Sequence, residues 1–423
     1  MAISSITRLS MATLMMMIFI IPQSFFWLKL PFLGVVLVWV MVEGARDRWK
    51  IKSEAFLPYY LIFGLLTVSW CIVGLIRGNP EIAILEALRV YVVFMGVFGA
   101  LAIYVSSFDY LKYVDRVVVA GAFGICAVAI YALLDSIFQL GWLPEFVKED
   151  MYLQVGVHDG YIQMNNVNIG MLTFIVPYLI SRLILGERRD SRTYLIFGLM
   201  VAVIATILAS RRAVLALVLF TPMLAVSIGA LTGQVTHRLR KRFVQFYVLP
   251  LLFAGVGGWL VFYTGIDFLD GFTERVLSAF ITDHDEPRPL QHAALMVGFS
   301  DSYFWGSGFG GLTSVIRSDE RPWTFELTYS RLLFNAGLLG VGLLVLFFSV
   351  YLLLTLRKIR RSGHAHIQVP LLTGFLSVLI ASMSNPYLSS FDFLFVLSII
   401  PLILNTSDQF RPRPVTKTKE AMH

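Results

Sequence analysis

Charge is scarce in this chain of 423 residues: only 14% are Asp, Glu, Lys or Arg, while 57% are hydrophobic. A soluble domain carries nearer ~25% charged residues, so an ordinary water-exposed globule is excluded. Cysteine is scarcer still. Cys71 and Cys126 both lie inside apolar runs, read as core residues and carry no disulfide or redox signal. HExxH, CxxC and an aspartate-rich divalent motif are missing, so no metal set is visible. No P-loop is present either, which argues against ATP use. The apolar runs are continuous rather than alternating with polar residues, which excludes a β-barrel.

What the chain has is apolar length. Runs near the ~20 residues that a bilayer-spanning helix needs recur at 9–26, 30–44, 57–76, 88–106, 116–137, 162–181, 193–209, 213–232, 244–265, 326–355, 369–384 and 390–405. With a mean hydropathy of +0.75, this pattern predicts an all-α polytopic membrane protein with about twelve transmembrane helices. Residues 1–265 would hold helices one to nine, 266–325 a large outer loop with short helices, 326–405 helices ten to twelve, and 406–423 a tail. The run 326–355 exceeds what a bilayer needs and is expected to tilt or project outward. The first run follows Arg8 but precedes no small-residue cleavage site, so it reads as a retained helix rather than a removed signal.

The formal charge is +7, yet the basic residues cluster in alternate short loops, which points to anionic lipid and away from nucleic acid. Arg46, Arg48, Lys50 and Lys52 form one such cluster; Arg182, Arg188, Arg189 and Arg192 another; Arg238, Arg240, Lys241 and Arg242 a third; Arg357, Lys358, Arg360 and Arg361 a fourth. The intervening loops are poorer in Lys and Arg, which places both termini in the cytoplasm. One pair breaks the pattern. Arg211 and Arg212 fall where the topology requires an outward loop, and arginines at a membrane boundary are costly unless they meet something anionic.

Four constellations are candidates for chemistry. Ser210-Arg211-Arg212 either caps a hairpin and snorkels to lipid phosphates, or clamps a phosphate in the planar guanidinium fork. Pro287-Arg288-Pro-Leu-Gln-His292 opens a short helix that sets Arg288 and His292 on one face at i, i+4; the plainer reading is a surface arginine in an acidic loop. Tyr303-Phe-Trp305-Gly306-Ser-Gly308-Phe-Gly310-Gly311 describes a tight turn whose backbone approaches something closely. Its aromatics, with Trp323, either line a glycan groove or belong to an interfacial belt. In Glu326-Leu-Thr-Tyr329 a carboxylate at the first turn of a long helix either caps that helix or acts as a general base, with Tyr329 beside it at i+3. Asn165, Asn166 and Asn168 add polar groups at the start of the 162–181 run. Arg89 and Arg331 lie at outer helix ends.

At these residues the chain resembles the O-antigen ligase and polymerase (Wzy-type) superfamily of bacterial inner-membrane enzymes. The landmarks are Ser210-Arg211-Arg212-Ala213-Val214-Leu215; Arg288 ahead of the glycines 306–311; Glu326, Tyr329 and Gly337-Leu338-Leu339-Gly340; and Asn166-Val167-Asn168 before Pro177. They occur in order over roughly 160–345. Ligases of this kind carry histidine where Glu326 stands, so glutamate resembles the polymerase branch. The resemblance implies a metal-independent, cofactor-free, inverting glycosyltransferase in the inner membrane, its active site facing the periplasm. Donor and acceptor would be undecaprenyl-pyrophosphate-linked oligosaccharide repeat units of O-antigen, capsule or exopolysaccharide, with a chain-length regulator and a flippase as companion proteins. It further implies Glu326, Arg211 and Arg288 as catalytic groups, and Arg212, Arg89, Tyr329, His292, Trp305, Asn166 and Asn168 as substrate contacts. The alternatives are a ligase transferring glycan to lipid A core and, in another class, a lipid-linked glycan transporter. Transporters place charged groups at mid-membrane, whereas here polar residues gather at the rim.

Overall fold

The computed structural model describes residues 2–45, 51–107, 113–158, 161–186, 192–209, 212–234 and 287–406. Those residues form α1 (Ala2–Ile20), α2 (Phe26–Ala45), α3 (Phe56–Ile76), α4 (Glu81–Leu88), α5 (Met95–Ser107), α6 (Val114–Phe138), α7 (Glu145–Asp150), α8 (Leu172–Leu185), α9 (Arg192–Ala209) and α10 (Arg212–Leu231). After the undescribed stretch come α11 (Pro287–Asp301), α12 (Thr328–Arg361), α13 (Ala365–Ala381) and α14 (Ile399–Leu404). Six helical stretches are long and apolar enough to cross a membrane by length and composition: Phe56–Ile76, Glu81–Ser106, Val114–Phe138, Asn168–Leu185, Ala213–Leu231 and Thr328–Arg361. Five further apolar helices are shorter. The expected run 244–265, residues 266–286 of the large loop and the tail from 407 lie outside the described residues.

The expected helix 162–181 begins later than its apolar run suggests. Residues 154–158 and 161–165 pair as an antiparallel hairpin, β1 (Gln154–His158) with β2 (Tyr161–Asn165), in the register Gln154 to Asn165. Asn166 then stops the strand, its side chain accepting a hydrogen bond of 2.8 Å from the Asn168 N–H. A 3₁₀ turn over Val167–Met171 leads into α8. Competition by asparagine side chains for local backbone donors favours such caps over helix interiors. From there α8 becomes the axis of the bundle: 89% of its span is buried, against 22–44% for the other five. It carries apolar residues on every side, as an enclosed helix does, and its few polar side chains, Thr173, Ser181 and Arg182, are buried with hydrogen-bond partners.

The stretch 81–107 is one apolar rod interrupted by a π-helical turn at Arg89–Phe94, a local widening that shifts the faces of the residues after it. The long helix α12 is likewise not continuous. Gly337 leaves the helical conformation (φ 63°, ψ −172°) and divides it. The segment after the break, 338–361, is by itself ~36 Å long at ~1.5 Å per residue, enough for a ~30 Å hydrocarbon core. The excess length expected to tilt or project thus belongs to a separate short helix ahead of the break.

Arg182, counted above among the loop charges, is buried, and so is Lys29. Arg182, 2% exposed, bonds both carboxylate oxygens of Asp115 through Nε at 3.0 Å and donates to the His366 carbonyl at 3.2 Å. Tyr178 donates to the same Asp115 at 2.6 Å. Lys29, fully buried, meets Asp392 at 2.8 Å and the Ile21 carbonyl at 2.8 Å. Each pair ties helix ends that are far apart in sequence, and the partner carboxylate makes the burial of the cation tolerable.

Candidate functional site

The helix expected at Pro287 is present and sets its cationic face against α12. Arg288 Nε lies 2.7 Å from Glu326 Oε2. One turn on, His292 Nδ1 lies 2.9 Å from Ser330 Oγ. Gln291, between them, accepts a hydrogen bond of 2.8 Å from the Glu326 N–H through Oε1. The spacing of Arg288, Gln291 and His292 puts all three on one side of α11, and that side faces the start of α12. Glu326 itself precedes the helix rather than lying in its first turn, since α12 begins at Thr328 with Leu327 in a non-helical conformation. Its carboxylate is therefore presented from an irregular segment, with a backbone N–H already satisfied by Gln291.

A second arginine completes the arrangement. Arg317 Nε stands 3.2 Å from Glu326 Oε1, so each carboxylate oxygen is met by a different guanidinium. Glu326 is about one-fifth exposed, whereas Arg288 and Arg317 are 40% and 50% exposed. The acid lies at the back of the cluster and the cations toward solvent. Such a geometry can receive an anion at its open side, because each guanidinium carries five N–H donors.

The same loop reaches a neighbouring carboxylate. Arg321 Nη1 lies 3.5 Å from Glu86 Oε1, and Trp323 Nε1 donates to Glu86 Oε2 at 2.9 Å. Arg89 also turns to Glu86, at 3.4 Å, with its guanidinium carbon 5.9 Å from the centre of the Phe94 ring. Residues 317–323 thus strap the Glu326 cluster to α4. Arg331, one turn into α12, donates to Tyr91 Oη at 3.1 Å and Ser389 Oγ at 2.9 Å. Tyr91 comes from the π turn, which places the hydroxyl beside that guanidinium.

The glycine-rich turn approaches protein backbone. Ser307 and Gly308 N–H donate to the Phe334 and Asn335 carbonyls at 2.9 Å each, on the near side of the α12 break. On its far side, Leu338 and Leu339 N–H donate to the Tyr303 and Phe304 carbonyls at 3.1 Å. Gly306 and Gly308 both have positive φ; a Cβ on the first would strike Asn335 and one on the second Gly74 of α3. Broken helices inside membranes survive only where other groups take up the freed backbone, and residues 303–308 do so here. Asn79 locks the turn from the other side, donating to the Ser307 and Phe309 carbonyls at 2.9 and 3.0 Å. The Trp305 ring stays exposed, while its carbonyl accepts from Trp70 Nε1 at 3.0 Å.

Of the residues singled out in the sequence, the structure brings Arg288, His292 and Glu326 together. Arg89 faces Glu86 instead. Glu326 lies ahead of the helix that carries Tyr329, whose hydroxyl donates to the Leu379 carbonyl of α13 at 2.6 Å. Asn166 and Asn168 are buried in a different network, where Asn168 Nδ2 donates to Ser24 Oγ at 3.1 Å and Ser24 Oγ donates to the Asp150 carbonyl at 2.9 Å. Arg211 and the side chain of Arg212 lie outside the described residues. Arg317, Gln291 and Ser330 entered the site without a sequence signal of their own. Only Gln291, on the face shared by Arg288 and His292, was within reach of a periodicity argument. Among the described residues no group of three His, Cys, Asp or Glu is placed to hold a metal ion. No protein-family profile and no curated protein matches this chain.

Proposed function

We propose that this chain is a membrane glycosyltransferase that polymerises undecaprenyl-pyrophosphate-linked oligosaccharide repeat units at the periplasmic face of a bacterial inner membrane. The observation that carries the reading is the bridging of Glu326 by Arg288 and Arg317 at the solvent side of an apolar helical bundle. The order of the Ser-Arg-Arg, Arg288, Gly-rich and Glu326 motifs supports it.

In this mechanism the acceptor hydroxyl oxygen bonds to the donor's anomeric carbon as the bond from that carbon to the diphosphate oxygen breaks. The electron pair leaves with the diphosphate, and attack from the opposite side inverts the anomeric centre. Arg288 and Arg317, with Arg211 where the sequence motif supplies it, stabilise the charge that grows on the departing diphosphate, and preorganised cations act most strongly on charge present only in the transition state. Glu326 takes the acceptor proton. As the diphosphate draws the two arginines to itself, the Glu326 carboxylate is freed to meet the acceptor hydroxyl. His292, held by Ser330, and the exposed Trp305 ring are the groups available to orient sugars.

The test is polymerisation by the purified protein supplied with lipid-linked repeat units, read as a ladder of longer glycans. Arg288→Ala is expected to lower the rate about a hundredfold, ~3 kcal/mol in the barrier, and Glu326→Gln to abolish chain growth. A ladder unchanged in both variants refutes the assignment. Adding lipid A core as a second acceptor separates polymerase from ligase, since a ligase would make single transfers to it.

A further inference from the structure

A cavity of about 520 Å³ lies between α1, α5, α6 and the closing segment of the chain, at the end of the bundle away from Glu326. The two ends are set by α13. Leu371, near the start of that helix, lines the cavity, whereas Thr328, two residues after Glu326, bonds to the Asn385 carbonyl just past its end. The walls are apolar, formed by residues such as Met11, Met15, Leu101 and Ala102. At the inner end, Phe19, Phe174 and Phe395 close the space with ring centroids 5.8, 5.5 and 5.1 Å apart.

The mouth is different in kind. Arg8, Tyr113 and Arg116 line it, all three exposed. The Arg116 guanidinium carbon lies 5.7 Å from the centre of the Tyr113 ring, which holds the charge at the rim. Arg8 and Phe19 mark the two ends of the cavity along a single helix. At ~1.5 Å per residue they are ~16 Å apart, close to half of a ~30 Å hydrocarbon core. The slot is one leaflet deep, greasy throughout and cationic at its opening.

We propose that this cavity is a structural lipid site that takes one acyl chain of an anionic phospholipid, with the headgroup phosphate at Arg8 and Arg116. A polar metabolite would leave its own donors and acceptors unpaired against these walls. For a lipid tail, moving from bilayer to cavity exchanges one apolar medium for another, so the tail supplies fit but no selectivity. Selection falls to the two guanidiniums, and two cations at an anionic headgroup favour phosphatidylglycerol over phosphatidylcholine on the order of 30-fold. The inference is independent of the glycosyltransferase reading, because the site is at the opposite end from Glu326 and its test uses no activity.

The full-length protein, extracted in mild detergent from nanodiscs of mixed phosphatidylglycerol and phosphatidylcholine, should retain one phospholipid through graded activation in native mass spectrometry. Phosphatidylglycerol is expected in large excess. Arg8→Gln/Arg116→Gln, which alters only exposed side chains, should keep a bound lipid but lose the preference, and Ala102→Trp should expel the lipid. An empty wild-type protein overturns the proposal. So does a retained lipid whose headgroup selectivity is the same in the double-arginine variant.

Discussion

Replacing Gly337 by alanine should unlatch the segment 287–323 from the long apolar helices. Its φ of 63° and ψ of −172° lie in a region that residues with a side chain rarely enter, at ~1–3 kcal/mol of strain. A methyl group there would also collide with the Phe304 carbonyl oxygen and crowd the Gly306 nitrogen. The Phe304 and Tyr303 carbonyls accept from Leu339 and Leu338 at 3.1 Å, so moving that turn weakens two hydrogen bonds worth ~1 kcal/mol each. The combined loss is on the order of 3–5 kcal/mol. Thermal unfolding of the detergent-solubilised protein, followed by tryptophan fluorescence, reads the loss directly, since Trp70 and Trp305 flank the latch. Gly342, five residues on in the same helix, provides the control. An added Cβ there meets nothing within 4 Å, and alanine should gain up to ~1 kcal/mol of helix propensity. Gly337→Ala must therefore melt well below Gly342→Ala. Equal melting of the two variants would refute the glycine requirement at the break.

Asp115→Asn should lower stability by ~3–5 kcal/mol by stranding the buried Arg182; Arg182→Met/Asp115→Leu should recover most of it, measured as melting temperature and yield. Asn79→Ala should raise amide exchange across residues 303–311, because both carbonyls it serves lose their donor; unchanged exchange would mean that the turn is held by α12 alone. In the polymerisation assay Arg317→Ala should match Arg288→Ala, near a hundredfold, while Arg89→Ala, turned toward Glu86 and 58% exposed, should cost less than tenfold. Equal losses at Arg89 and Arg317 would contradict the grouping of the charges around Glu326.

The helical, membrane-like character of the chain and the helix at Pro287 were legible in the sequence because both rest on local pattern. Apolar run length sets a helix, and proline followed by Arg288 and His292 at i, i+4 sets a face. The hairpin 154–165 was not legible. Val155 and Val157 are too few to announce a strand, and the apolar count of the 162–181 run outweighed the asparagines that delay α8. The break at Gly337 was hidden for another reason. Gly337-Leu-Leu-Gly340 is locally compatible with a helix, and what stabilises the interruption is a loop some thirty residues earlier. Non-local pairing also explains Arg317 and Arg182. An arginine in an irregular segment has no periodicity to reveal its carboxylate, and counting Arg182 among the loop charges assigns a buried side chain to solvent.

The latch at Gly337 has a mechanical consequence. Because residues 303–308 fill a gap in one rod and lean on α3 as well, the stretch from Pro287 to Trp323 is bolted to the frame instead of hanging from it. A segment so fastened makes a poor flap. Its charged face, with Arg288 and Arg317 on Glu326, keeps a fixed distance from α3 and α12, like an anvil, and an anion must come to it.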